Sequence, residues 1–200
     1  MFDVIIPLRS KSKGLRNKNI LPFVKRANLA NFTIQKLTKI KKINKIFVLT
    51  DSKNYKKKII KHSKVDIGYI RKIKFSTSNS KINNLVDDFF DNYYKNQQNK
   101  NFLILQVTSP ILSINEIKKT LDFIQRKKIS SLMHVCKTLE SPYEMIEKMN
   151  NKKWSFLIKN RILNRQNYKR VFYFITGSLF FFRKDFFKKY KEIYNNKSIP

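Results

Sequence analysis

The stretch Val4-Ile5-Ile6-Pro7-Leu8-Arg9-Ser10-Lys11-Ser12-Lys13-Gly14-Leu15-Arg16-Asn17-Lys18-Asn19-Ile20 decides how the rest of the chain is read. Val4, Ile5, Ile6 and Leu8 surround Pro7 and form a short, continuously apolar run, the pattern of a buried strand. Arg9 then opens a loop that holds five cations, Arg9, Lys11, Lys13, Arg16 and Lys18, and no acid. Ser10, Ser12 and Gly14 are small enough to let backbone N–H groups approach a ligand. Backbone donors in a nest, with fixed cations around them, suit a polyphosphate. The spacings of a Walker A loop and of a Gly-x-Gly-x-x-Gly turn are both missing. A solvated basic loop is the plain alternative in so lysine-rich a chain.

Working outward, alternating patterns follow this loop. A helix is expected over 32–42, capped by Asn31, with Phe32, Ile34, Leu37 and Ile40 on its apolar side. Residues 45–50 read as a second strand. Asp51 and Ser52 after it look like a turn into a helix cap; Asp51 could instead orient a substrate or a hydrated metal. A third short strand is expected over 65–70, with Arg71 directly at its end, where open α/β sheets meet their ligands. Ser80 is expected to cap a helix reaching about residue 97, in which Ile82, Leu85, Val86, Phe89, Phe90 and Tyr93 make a core stripe. Asp87 and Asp88 are splayed by about 100° on such a helix, and with Asp91 they are read as solvated. A strong strand over 102–106 ends in Val107-Thr108-Ser109-Pro110. Gln106, polar at a strand end, is either a ligand contact or a satisfied core amide. Ser113 and Glu116 make a capping box, the next strand is read over 131–136, the pattern loosens over about 137–171, and a last helix is expected over 183–194. Strands alternating with helices predict a three-layer α/β fold with a mostly parallel central sheet, as a single domain over 1–200.

Two hundred residues suffice for one substantial core, and an apolar fraction of 42% is that of a globular protein. No run of about 18 apolar residues occurs, so no membrane-spanning helix is expected. The N-terminus enters a strand at once, so no secretory leader is expected. Cys136, the single cysteine, excludes an intramolecular disulfide and lies in an apolar run, where a buried structural thiol is expected. A cytoplasmic location fits these features. The net charge of +31 points at face value to nucleic acid or an anionic membrane. The lysines are spread along the chain, however, and accompany abundant Asn, Ile, Phe and Tyr, all residues of A+T-rich codons. The charge is therefore read as partly compositional, though it favours anionic substrates and salt-sensitive binding.

Several segments together carry a family resemblance. Arg9, Ser12, Lys13, Gly14, Lys18, Asn19 and Ile20 fall on the pattern I-I-P-A-R-x-G-S-K-G-x-x-x-K-N-I, with Leu8 in place of the Ala and Lys11 in place of a Gly. Leu105-Gln106-Val107-Thr108-Ser109-Pro110 falls on Leu-Gln-Pro-Thr-Ser-Pro, and Thr50-Asp51-Ser52 on Thr-Asp-Ser. Through these motifs the chain resembles the CMP-N-acylneuraminate (CMP-sialic acid) synthetases, the acylneuraminate cytidylyltransferases, in order over nearly its whole length. The resemblance implies a Rossmann-like nucleotidyltransferase domain. It implies catalytic roles for Arg9 and Lys18, and nucleotide binding by Arg9, Ser12, Lys13, Gly14, Lys18, Asn19 and Arg71. Gln106, Arg165 and Gln166 are implied to hold a sugar acid. The excursion at about 137–171 is implied to serve a homodimer. Mg²⁺ is implied as cofactor, but the family's Ile-Asp-Ile-Asp segment that would ligate it is expected to be absent, since the sequence stops at Pro200. Asp51 is the one acid at a plausible strand end, and the protein ligands stay unassigned.

The expected activity is transfer of CMP from CTP to a sialic-acid-like nonulosonic acid with release of pyrophosphate. Three alternatives remain open: a nucleotidyltransferase for another sugar acid or a sugar phosphate, an inactive truncated relative, and a basic nucleic-acid-binding protein. The last is disfavoured because the aromatic residues follow core periodicity and do not interleave with lysines. No membrane partner is expected.

Overall fold

Side chains of successive strand residues point to opposite faces of a sheet, and in this chain both faces are apolar. The computed structural model describes residues 1–10, 14–25, 27–95, 100–149, 153–159 and 164–200. In chain order the elements are β1 (Phe2–Leu8), β2 (Pro22–Val24), β3 (Ala27–Asn28), α1 (Leu29–Thr38), β4 (Ile43–Thr50), α2 (Lys53–Lys58) and β5 (Val65–Asp66). They continue with α3 (Ile82–Asn92), β6 (Asn101–Leu105), α4 (Ile114–Lys127), β7 (Ser131–Lys137), β8 (Ile146–Lys148), β9 (Trp154–Phe156), β10 (Tyr173–Arg183) and α5 (Lys184–Tyr190).

Alternation along the strands builds two cores. Phe2, Val4, Ile6 and Leu8 of β1, Ile46 and Val48 of β4, and Leu103 and Leu105 of β6 pack with α1 and α4. Ile5, Phe47, Leu49, Phe102 and Ile104 face the other way, against Leu85, Val86, Phe89 and Phe90 of α3 and Phe186 and Phe187 of α5. Helices therefore cover both faces of the sheet, which makes three layers. Each fully buried Leu or Phe contributes about 1.5–3 kcal/mol relative to exposure. The sheet has six strands in the order β5-β4-β1-β6-β10-β7. β1 is parallel to β4 and β6, β4 is parallel to β5, and β10 is antiparallel to β6. A mostly parallel sheet buried on both faces needs such continuous apolar strands. The expected fold class is the observed one.

The chain divides into two compact units, Met1–Met133 with Gly177–Pro200, and His134–Thr176. The first holds most of the six-stranded sheet and α1 to α5. The second holds the β8–β9 hairpin and a 3-10 turn at Arg165–Asn167. The excursion expected at 137–171 falls inside this second unit.

Several local expectations are corrected. The first helix begins earlier: Asn28, not Asn31, caps it by accepting from the Asn31 amide at 2.8 Å. The Asn31 side chain instead donates to the Lys58 carbonyl at 2.9 Å and accepts from the Ile60 amide at 3.0 Å, which ties α1 to the end of α2. The third strand pairs only through Val65 and Asp66, and Ile70 rejoins the sheet by a single bridge to Thr50. Gly68 lies between them, where a Cβ would come within 2.0 Å of the Tyr93 hydroxyl oxygen. Helix α3 has no side-chain cap, because its N-cap position is Lys81; Ser80, one residue earlier, donates its hydroxyl to the Lys74 carbonyl at 2.8 Å. Asp88 is not solvated: it is 9% exposed and accepts from the hydroxyl of Tyr69 at 2.6 Å and from Lys72. Cys136 is exposed, since it lies in the part of β7 past its buried end. The Ser113–Glu116 capping box forms as expected, with both of its reciprocal bonds.

Candidate active site

From β1 the chain crosses to β4 on one side of the sheet and later returns to β6 on the other. Such a reversal opens a crevice at the carboxyl ends of the two central strands. Pro7 and Arg9 at the end of β1 and Gln106, Val107 and Thr108 after β6 line a cleft there of about 280 Å³. Lys18 and Asn19 enter it from a 3-10 turn, Lys18–Ile20, and Arg71, Thr77, Ser78 and Ser80 complete the wall. The described lining therefore carries three cations and no carboxylate.

The described ends of the basic loop are held from one short segment after β4. The Asp51 carboxylate accepts from the Ser10 amide and from the Ser10 hydroxyl, each at 2.8 Å. The Tyr55 hydroxyl lies 3.3 Å from the Ser10 carbonyl oxygen and 3.2 Å from Asn17 Oδ1. Asn17 has φ of 57°, a left-handed conformation that asparagine tolerates better than most residues. Burial, then the Asp51 charge, raises the Tyr55 pKa, so the phenol stays a neutral donor. Asp51 is thus not the helix cap: Ser52 is, accepting from the Tyr55 amide at 3.3 Å.

Arg71 is 7% exposed and donates through Nε (2.9 Å) and Nη2 to the Phe75 carbonyl. Burial lowers its pKa most, the Asp51 charge opposes that, and the nearby Arg9 charge lowers it further. Arg9 reaches across the cleft and donates to the Thr77 carbonyl at 3.1 Å. The buried Asn19 donates from Nδ2 to the Arg9 carbonyl at 3.4 Å. Gln106 is exposed at the end of β6, which removes the core-amide alternative. Its backbone N–H donates to the Ser178 carbonyl at 3.2 Å. Gly177, with φ of +69°, approaches its side chain closely enough that a Cβ there would lie 3.7 Å from Gln106 Nε2.

The fold thus brings together Arg9, Lys18, Asn19, Arg71 and Gln106. Ser12 and Lys13 lie outside the described residues. Gly14 is exposed, with open space around it, and does not line the cleft. Arg165 and Gln166 belong to the second unit, on its exposed 3-10 turn. The Arg165 fork is closed on Glu144, with Nε–Oε1 at 3.0 Å and Nη2–Oε2 at 2.9 Å, and these bonds raise its pKa. Sequence reasoning left Thr108 and Ser80 out of the site, and it had only the clustered hydroxyls of 76–80 as a signal for the latter's loop. Tyr55 carried no signal at all.

Among the described residues no group of three or more His, Cys, Asp or Glu could hold a metal ion. Both Asp51 oxygens are engaged by Ser10. The described residues therefore hold no ready-made cluster for a protein-ligated metal. No helix among them is long and apolar enough to cross a membrane.

Comparison with known proteins agrees with this fold. N-acylneuraminate cytidylyltransferases of Streptococcus agalactiae serotypes III and Ia are each 25% identical over 198 residues, 97% of this chain and 46% of theirs. The chain thus spans about half the length of the curated relatives it matches. Among solved structures, a CMP:2-keto-3-deoxy-manno-octonic acid synthetase complexed with CTP superposes with a TM-score of 0.67 at 12% identity, over 98% of this chain and 79% of that one. A 4-diphosphocytidyl-2C-methyl-D-erythritol synthase from Anaerococcus prevotii gives 0.63 at 15%, over 95% and 73%. Both share the fold. A family model described as "Cytidylyltransferase" matches residues 4–197, and with that span covered the chain belongs to the cytidylyltransferase family.

Proposed function

We propose that this protein transfers CMP from CTP to a nonulosonic acid of the sialic-acid kind, releasing pyrophosphate. The observation that carries the reading is the cleft at the β1/β6 switch point, where Arg9, Lys18 and Arg71 converge and no carboxylate is among the described lining residues. An anionic triphosphate suits such a site, and charge that develops on the leaving pyrophosphate would be stabilised by donors already in place. Arg9 and Lys18 are assigned to the phosphates. Asn19 and Arg71 are assigned to placing the nucleotide, with Ser12 and Lys13 as further loop donors. Gln106 is assigned to the sugar acid, and Arg165 with Gln166 to its carboxylate, a match for a planar guanidinium fork. Mg²⁺ enters as the companion of the triphosphate, neutralising its charge; no step is assigned to it.

The same reading includes a homodimer formed through the second unit. That unit exposes Trp154, Phe156 and Leu157 on and after β9, and Ile146 on β8, an apolar row of the kind that marks association surfaces. The same reading places the protein in the cytoplasm.

The test is pyrophosphate release from CTP with Mg²⁺, without and with a panel of sugar acids: sialic, legionaminic, pseudaminic and 2-keto-3-deoxy-manno-octonic. Release that depends on one of them supports the activity and names the acceptor. CTP binding without release would favour an inactive relative. No CTP binding would sink the phosphate-site reading and return the basic charge to a nucleic-acid partner.

A further inference from the structure

We infer that Tyr55 is a positioning residue of the nucleotide site, acting through Asn17 and Ser10 on the turn that carries Lys18 and Asn19; this rests on the function proposed above. Tyr55 is 1% exposed and lies on α2, away from the cleft lining. Its ring packs in the core with β1 and β4 residues, and its hydroxyl is the part that reaches the loop. One phenol proton is offered to two oxygens, the Ser10 carbonyl at 3.3 Å and Asn17 Oδ1 at 3.2 Å. The two acceptors stand at opposite ends of the basic loop. Ser10 is separately held by Asp51, so its position has a second support.

Asn17 has no such second support among the described side-chain bonds. It precedes Lys18 directly, and its left-handed backbone sets the direction in which the Lys18–Ile20 turn leaves the loop. The Ile20 amide donates to the Asn17 carbonyl at 2.9 Å, so that turn is built on Asn17. Lys18 itself has no side-chain partner among the described residues and depends on the turn beneath it for its place. A tether of Asn17 to a fully buried ring pre-organises the cation before nucleotide arrives. Pre-organisation lowers the ordering that binding must otherwise supply.

The prediction concerns the β- and γ-phosphates. Dissociation constants for CTP and CMP would be measured by calorimetry on the wild type, Tyr55→Phe and Asn17→Gly. Phe keeps the buried ring and removes only the hydroxyl. Gly keeps the positive φ without strain and removes the acceptor, while also freeing the backbone, so Tyr55→Phe is the cleaner of the two. Each variant is expected to weaken CTP by about fivefold, the equivalent of one ordinary hydrogen bond, with CMP changed much less. The double variant is expected to lose clearly less than the sum of the two single losses, because both remove the Tyr55–Asn17 bond. An unchanged CTP-to-CMP affinity ratio in either single variant overturns the inference. An equal loss for both nucleotides also overturns it, since that is the mark of general loosening. If the wild type itself fails to bind CTP, the proposed function falls first and this role falls with it.

Discussion

Arg165 grips Glu144 with both arms of its guanidinium, through bonds of 3.0 and 2.9 Å, within the second unit. The fork that would suit a substrate carboxylate already holds one. An incoming sugar acid at this arginine must therefore displace or share Glu144. If Arg165 serves the sugar acid, Arg165→Ala raises KM for the acid several-fold and leaves KM for CTP in place. Glu144→Gln, which discharges the competitor, lowers KM for the acid. Steady-state kinetics with each substrate varied in turn reads both effects. Both side chains are exposed enough that melting temperatures should barely move. Opposite changes for the two variants support the assignment, and no change in either removes Arg165 from the site.

Lys18 gives the most direct test of the cleft. Its side chain has no partner among the described residues, so its loss leaves no buried group stranded. Lys18→Ala is expected to lower turnover at least about tenfold, as removal of a transition-state donor does, with an unchanged thermal unfolding curve. A wild-type rate would exclude Lys18 from the active site.

The opposite end of β1 carries a further prediction. Asp3 is fully buried and accepts from the Tyr94 hydroxyl, from Asn44 Nδ2 at 2.9 Å and from the Lys45 amide at 3.1 Å. Tyr94→Phe removes the phenol donor and leaves the carboxylate short of a partner inside the core. The expected cost is about 1–3 kcal/mol, read as a lower urea midpoint at constant m-value. Asp3 lies about 13 Å along the extended strand from Pro7, where the cleft begins, so turnover of the folded protein should be unaffected.

Asp88 links stability to pH. Burial pushes its pKa up, but hydrogen bonds from Lys72 and Tyr69 and the charges of Lys72 and Lys74 outweigh that and hold it below the ordinary value of 3.8. A depressed carboxylate stabilises the fold above its unfolded pKa and loses that contribution as pH falls through the folded one. Wild type is therefore expected to melt higher than Asp88→Asn at pH 7. The gap should hold through pH 5 and close below about pH 4. A gap that stays constant down to pH 3 would mean that the Asp88 charge does not stabilise the fold.

Much of the scaffold is legible in the residues themselves. Val4 to Leu8, residues 46–49 and residues 102–105 are apolar at every position or nearly so, and only a sheet covered on both faces buries such strands. Ser113 and Glu116 state the start of α4 three residues apart, within reach of one another in any context. Gln106 stands out as a polar residue closing an apolar strand. Helix starts are less legible. Asn28 and Asn31 are both competent caps, and both donate to the Lys58 carbonyl; they differ in that the Asn31 side-chain oxygen accepts from the Ile60 amide, while that of Asn28 accepts from the Asn31 amide and caps the helix.

The strand–helix alternation, the two-faced sheet, and the position of a basic loop at the end of its first strand are written in the residues. All of these follow from local period and local residue type. The tertiary structure alone decided that Asp51 holds Ser10 and does not cap a helix, that Tyr55 reaches Asn17, and that Asp88 is buried against Tyr69 and Lys72. Those partners are 41, 38, 19 and 16 positions apart. The apolar pattern of a strand says which face a residue takes, but not which residue the neighbouring strand sets opposite it. That second fact exists only once β4 has paired with β1.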